Sequence, residues 1–163
     1  MSSLLTSLLP AAQQPGAAAH PAADRPSAGR LRTATELLSD PAHPSVVTSH
    51  DGHGAPLGTT AESAGAVSLT SALVLACIDE GSATLAAALE CRRFALNVLT
   101  APTADVARRF SGTPDPNVWD RVAYTIVDGL PLLRDAAATL SCEVHDIADG
   151  GPLTLLVGRV VDC

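Results

Sequence analysis

The chain has 163 residues, a formal net charge of −7, and a composition 47% hydrophobic but only 2% aromatic. That length fits one domain, the acidic balance excludes a nucleic-acid partner, and the shortage of aromatic bulk requires a core of Leu, Val and Ala. Four cysteines, at 77, 91, 142 and 163, are spaced too widely for a zinc site or a disulfide framework.

Residues 1–30 are rich in Ala, Pro and Gln and are expected to form a mobile arm ahead of a domain at 31–163. The arm has no basic n-region and so does not read as a signal peptide. A helical pattern follows in LRTATELLS, 31–39, ended by Pro41 and Pro44. The β-branched run Val46-Val47-Thr48 then meets Asp51-Gly52 and a second extended run, a hairpin signal.

ALVLACID, 72–79, reads as a strand, and Ser82 as the N-cap of the helix SATLAAALE. FALNVL, 94–99, is another strand, and Pro102 opens a helix, PTADVARRF, that stops near Gly112. VAYTIV, 122–127, is a strand turned by Asp128-Gly129. AATLSCEVHDI, 137–147, alternates with Leu140, Cys142 and Val144 on one face. Asp149-Gly150-Gly151 turns it into LTLLVGRVV. That last run, the most apolar, has nine residues and contains Arg159, far short of a membrane span. The reading is a soluble cytoplasmic protein with no membrane partner. Six or seven strands and three short helices joined by tight turns imply a mainly β, antiparallel barrel with short peripheral helices.

Several constellations could carry chemistry. His50, Asp51 and His53 fall on the hairpin turn and read as turn residues, so no metal site is expected. Ser63, Ser68 and Ser71 lack a nucleophile elbow, which argues against acyl transfer. Arg92-Arg93 and Arg108-Arg109 adjoin helix ends and are candidate anion clamps. The small-residue run 58–71 is either a flexible loop or a wall along which backbone N–H groups approach a planar ring or a phosphate. Ser82 and Thr84 open the next helix, where hydroxyls and the helix dipole favour a phosphate.

In their order, these segments resemble the flavin reductase-like family, whose fold is the antiparallel FMN-binding split barrel. GTTAES, 58–63, stands where the family has G-x-T-V-S-S, and SAT, 82–84, where it has a Ser/Thr pair before a helix. FALNVL (94–99), ARRF (107–110), GLPLLRDAAATLSCEV (129–144) and VGRVV (157–161) resemble its F-x-V-N-V-L, A-x-x-F, G-x-P-x-L and I-G-R-V segments. The resemblance covers residues 31–163. It implies NAD(P)H-dependent reduction of FMN or FAD, with reduced flavin passed to a partner flavin-dependent monooxygenase. It also implies a homodimer and a flavin site at Gly58, Thr59, Thr60, Ala61, Glu62, Ser63, Ser82, Thr84, Arg109 and Phe110.

The chain departs from the family pattern at defined points. Glu62-Ser63 replaces a hydroxyl pair, Thr70-Ser71-Ala72 replaces D-P-P, and Leu153 stands where a His is usual, which leaves the catalytic residue unknown. The sequence ends at Cys163, ahead of the family's usual final strand. Glu62 is expected to pair with Arg108 or Arg109. The departures support a second reading, a diverged split-barrel protein without NAD(P)H turnover. It would act as a flavin-binding or accessory protein, or use the pocket for another biosynthetic substrate.

Overall fold

Residues 26–163 are described by a computed structural model of the chain. The expected arm therefore lies outside the described residues as far as residue 25. The first described helix, α1 (Ala28–Leu38), starts before the boundary expected at 31. Its N-cap is Ser27, whose hydroxyl accepts the Arg30 N–H at 3.4 Å. It buries Leu31, Ala34 and Leu38.

β1 (Ser45–His50) pairs antiparallel with β2 (Pro56–Thr60) across the expected turn. The Asp51 carboxylate accepts N–H groups from Ala55 (2.9 Å) and His53 (2.8 Å), and these hold its carboxyl below the usual range. The turn is fully braced above the ordinary carboxylate pKa and loosens as the pH falls through the lowered one.

β3 (Ser63–Ser68), β4 (Leu73–Asp79), α2 (Ala83–Cys91) and β5 (Arg93–Val98) follow. A single 3₁₀ turn at Ala101–Thr103 leads into α3 (Ala104–Arg109), and a second 3₁₀ turn occupies Val118–Asp120. β6 (Tyr124–Val127) and β7 (Leu130–Leu133) form a separate hairpin. β8 (Ala138–Gly150) and β9 (Leu153–Asp162) complete the chain.

Seven strands make one antiparallel sheet in the order β2-β1-β5-β8-β9-β4-β3. Its end strands, β2 and β3, are consecutive in sequence, separated only by Ala61 and Glu62. Two residues span well under ~10 Å, so the sheet curls until its two edges meet. The hydrogen bonds mark that meeting point. The Ala61 N–H donates to the Ser45 carbonyl on the β1 side, and the Glu62 N–H to the Cys77 carbonyl on the β4 side, both at 2.9 Å. No ladder pairs β2 with β3. The barrel is thus closed by chain continuity and split along this seam.

Alternate residues point inward. Val74, Ala76 and Ile78 from β4, Phe94 and Leu96 from β5, and Leu140 and Cys142 from β8 are fully buried in one cluster with Leu85 and Ala88 of α2. Burial pushes the Cys142 thiol well above its ordinary pKa. Gly158 on β9 is required here, because a Cβ would collide with the Phe94 ring and the Cys142 Cβ.

The outside of β1 and β5 is covered by the β6–β7 hairpin through a buried polar cluster. Asn97 Nδ2 donates to the Val46 carbonyl and to Thr48 Oγ1, each at 3.0 Å, while its Oδ1 accepts the Leu133 N–H at 2.8 Å. Thr48 Oγ1 donates to the Pro131 carbonyl at 2.6 Å.

Among the described residues, nine strands replace the expected six or seven. The small-residue run 63–68, with no alternation in size, is a full strand, and LPLL at 130–133 is one despite Pro131. β7 pairs with β6 alone, so the missing N–H of Pro131 costs no sheet bond.

Candidate functional site

The expected ligand wall, Gly58 to Ser63, spans the seam: Gly58, Thr59 and Thr60 end β2, Ala61 and Glu62 cross over, and Ser63 begins β3. Its small residues do two different jobs. Gly58 lies against aromatic bulk, and a Cβ there would sit 2.7 Å from Phe110 Cε1. Phe110 packs edge-on against Trp119 (centroids 5.2 Å apart), which packs edge-on against Tyr124 at 4.9 Å. Three of the chain's four aromatic residues thus gather outside β2. Trp119 and Tyr124 were absent from the sequence-based site, although as the sole Trp and Tyr they carried a signal.

The expected route of backbone N–H groups toward a ligand is corrected for three residues. Thr60 N–H donates to the Phe110 carbonyl at 3.2 Å, and Ala61 and Glu62 spend theirs on Ser45 and Cys77. The Thr60 hydroxyl donates to the Ala107 carbonyl at 2.6 Å. This segment is held by the protein and presents a surface of small side chains.

Past the seam, the sheet register defines that surface. Ser63, Cys77 and Leu155 lie side by side across β3, β4 and β9, and Gly65, Leu75 and Val157 form the next row. Their alternation with the buried Val74, Ala76, Ile78 and Leu156 turns both rows outward. Cys77, Leu75, Leu155 and Val157 are only half-buried. A flat, mostly apolar face with two small residues along its rim results. Gly65 meets nothing closer than the Ser39 hydroxyl, 3.8 Å from where a Cβ would stand.

Beside the first row, Leu153 sits opposite Asp79 at the end of β4, and the turn from Asp79 leads to α2. Ser82 is the N-cap, its hydroxyl accepting the Leu85 N–H at 3.4 Å. Thr84 is buried in the first turn. The leading N–H groups of a helix have no intrahelical acceptor, and with the dipole they favour an anion there. The Glu62 N–H at the seam donates to the Cys77 carbonyl, and β4 ends two residues beyond Cys77 at Asp79, just ahead of the Ser82 N-cap, so the start of α2 follows the seam closely along the chain. The arrangement offers an apolar face for a ring system beside a helix start for a phosphate, which fits a flavin nucleotide.

The arginines are placed elsewhere. Arg109 Nη1 donates to the Arg121 carbonyl at 2.6 Å, and Arg108 pairs with Asp105 at 2.5 Å. The expected pairing of Glu62 with either is therefore corrected: Glu62 is exposed and its carboxylate has no partner among the described residues. Nearer acceptors on their own helix and the following loop capture both guanidiniums. Arg92 and Arg93 donate to the Val144 and Asp128 carbonyls and clamp no anion together.

Two grooves lie outside this region. One, of about 300 Å³, borders His50, Asp51, Glu90 and Cys91. The other, of about 590 Å³, separates α1 from the β7–β8 junction. Neither includes residues 58–63, Ser82 or Thr84. Among the described residues, no group of His, Cys, Asp and Glu is arranged to hold a metal ion, and no helix is long and apolar enough to cross a membrane.

Residues 39–163 match the family described as "Flavin reductase like domain". The reductase component of a 4-nitrophenol 4-monooxygenase/4-nitrocatechol 2-monooxygenase from Rhodococcus opacus is 32% identical, over 72% of this chain and 62% of that protein. The actinorhodin polyketide dimerase of Streptomyces coelicolor is 32% identical, over 81% of this chain and 73% of that protein. Among solved structures, the Streptomyces globisporus NADH:FAD oxidoreductase in complex with NAD and FAD fragments superposes with a TM-score of 0.67 at 30% identity. That match covers 81% of this chain and 79% of the other. The chain spans 37%, 50% and 63% of the length of three further curated relatives.

Proposed function

The chain belongs to the flavin reductase-like domain family, and on that premise we propose that it binds FMN or FAD at the seam and reduces it with NAD(P)H. The reduced flavin would serve a partner flavin-dependent monooxygenase, as the name of the Rhodococcus opacus relative suggests. One observation carries this reading: the small-residue rim at Ser63 and Gly65 and the apolar rows behind it lie in the same region as the start of α2.

When bound, the flavin supplies the hydride acceptor. This chain's residues bind and orient it. The Leu75, Cys77, Leu155 and Val157 face excludes water from one side of the ring, and Ser82, Thr84 and the helix start receive the phosphate. Leu153 adds packing but no hydrogen-bond donor. Hydride transfer needs stacking geometry rather than a protein acid or base, so its loss of a His lowers turnover without abolishing the reaction.

A homodimer belongs to the same proposal. The outward rows of β4 and β9 are apolar and open on a single chain, and Val67 and Leu69 nearby are about half exposed (54% and 47%). A second copy would cover them and supply the opposite wall of the site. The domain is taken as residues 31–163, with cytoplasmic location proposed for the whole.

The test is loss of nicotinamide absorbance on mixing the purified protein with NADH or NADPH and FMN or FAD. Light scattering on the same sample reads the mass, and a stable monomer removes the dimer. Failure to oxidise either nucleotide with either flavin leaves the second reading, a split-barrel protein that uses the site without nicotinamide turnover. The actinorhodin polyketide dimerase, a relative not named as a reductase, favours keeping that alternative.

A further inference from the structure

Six of the nine arginines among the described residues have their guanidiniums engaged: Arg92, Arg93 and Arg109 on carbonyls, Arg108 and Arg121 on aspartates, and Arg159 on His145. Arg30, Arg32 and Arg134 have no such partner among the described residues. Two of those three, Arg30 from α1 and Arg134 from the end of β7, line the groove of about 590 Å³ between α1 and the β7–β8 junction. Although the chain carries 17 carboxylates, none of the residues lining this groove is acidic. Two cations with no ion-pair partner among the described residues leave a local positive field in the groove, and the carboxylate that reaches its lining, Asp162, acts on the Cys163 thiol from outside it.

The rest of the lining supplies polar and apolar surface together. Thr125 and Thr139 offer hydroxyls, and Leu37 and Leu132 offer apolar wall. Burial pushes the Cys163 thiol, also in the lining, above its ordinary pKa and Asp162 adds to the rise, while Arg30 offsets part of it, so the Arg30 guanidinium lies within reach of the groove side of α1.

We infer that this groove is an anion site, separate from the seam, for a phosphate monoester carrying an apolar or aromatic body. Two guanidiniums from different elements match the charge of about −1.5 to −2 on a phosphate monoester near neutral pH. A single carboxylate would leave one of them unmatched. The volume accommodates more than the phosphate, and the leucines give the remainder a surface to lie on. Both arginines are exposed in the free chain, so binding weakens steeply with added salt.

Adenosine monophosphate is the probe, titrated calorimetrically into the full chain without flavin. The expected result is saturable binding, weakened at least fivefold by Arg30→Gln or by Arg134→Gln and lost in the double variant. Arg32→Gln, on the same helix but outside the groove, changes it less than twofold. Adenosine does not bind measurably, and succinate binds at least tenfold more weakly. These surface substitutions leave the fold intact, which the unfolding midpoint of each variant checks. Unchanged binding in the double variant would place the nucleotide at the seam and overturn the assignment. Equal binding of adenosine, equal binding of succinate, or no binding at millimolar concentration would overturn it as well. None of these results depends on flavin reduction, so the two proposals stand or fall separately.

Discussion

β5 and β3 are strands of six residues in the same sheet, and they show what position does to sequence. β5, RFALNV, is buried at every residue but its first, because it lies between β1 and β8, with the core inside and the β6–β7 hairpin outside. β3, SAGAVS, has no fully buried residue and forms one edge of the seam. Bulk and a satisfied polar network mark the strand that holds the barrel together. Small side chains mark the strand that is left open to something else. A strand covered on both faces cannot change without cost, whereas one open to solvent can be altered for function at little cost to stability.

The largest effect should come from breaking the polar network on the β5 side. Asn97→Leu removes the acceptor of the Leu133 N–H and the donor to Val46 and Thr48, all buried. Unmatched polar groups of that kind cost about 3 kcal/mol together. Urea unfolding should show the loss, and a change under about 1 kcal/mol would mean that the hairpin is not docked through Asn97.

Gly158→Ala, which drives a methyl into Phe94 and Cys142, is expected to cost about 2 kcal/mol by the same measurement. A neutral result would show a looser core beside β5 than the buried cluster implies.

On the seam side the effects move from stability to ligand. Leu153→His should leave the unfolding midpoint nearly unchanged and raise flavin-dependent NADH oxidation several-fold by restoring a donor beside the ring. High turnover that falls on substitution would separate Leu153 from the site.

The smallest change is expected for Glu62→Ser, within about 0.5 kcal/mol in stability. It should tighten FMN about threefold at low salt, because an exposed carboxylate near a phosphate repels it weakly and is screened. Riboflavin, which has no phosphate, should respond little. Calorimetry with both ligands on both variants decides this, and equal shifts would remove Glu62 from the phosphate's neighbourhood.

Much of the chain is legible in its residues alone. Ser82 at an N-cap, Asp51-Gly52 at a turn, and Leu140, Cys142 and Val144 on one face all follow from local rules, whereas the turn expected at Asp149-Gly150-Gly151 falls at Gly151-Pro152, because Asp149 and Gly150 still pair with β9. Those rules act over a few residues: a hydroxyl caps a helix start and a strand alternates. The same rules leave β3 open, because its small residues carry no periodic contrast, and do not pick out β7, a run of four residues that includes Pro131.

The residues themselves determined the β-rich class, the family's ordered segments, and a core of aliphatic side chains around one Phe. Tertiary structure alone decided the rest. It set the seam, where consecutive N–H groups of Ala61 and Glu62 donate to opposite sheet edges, and it brought Phe110, Trp119 and Tyr124 together over Gly58. It also assigned six of the described arginines their acceptors and left Glu62 without a partner among the described residues. The physical reason is range: caps and turns are closed by neighbours in sequence, whereas a guanidinium, an aromatic face or a strand edge takes whichever partner the fold brings within reach.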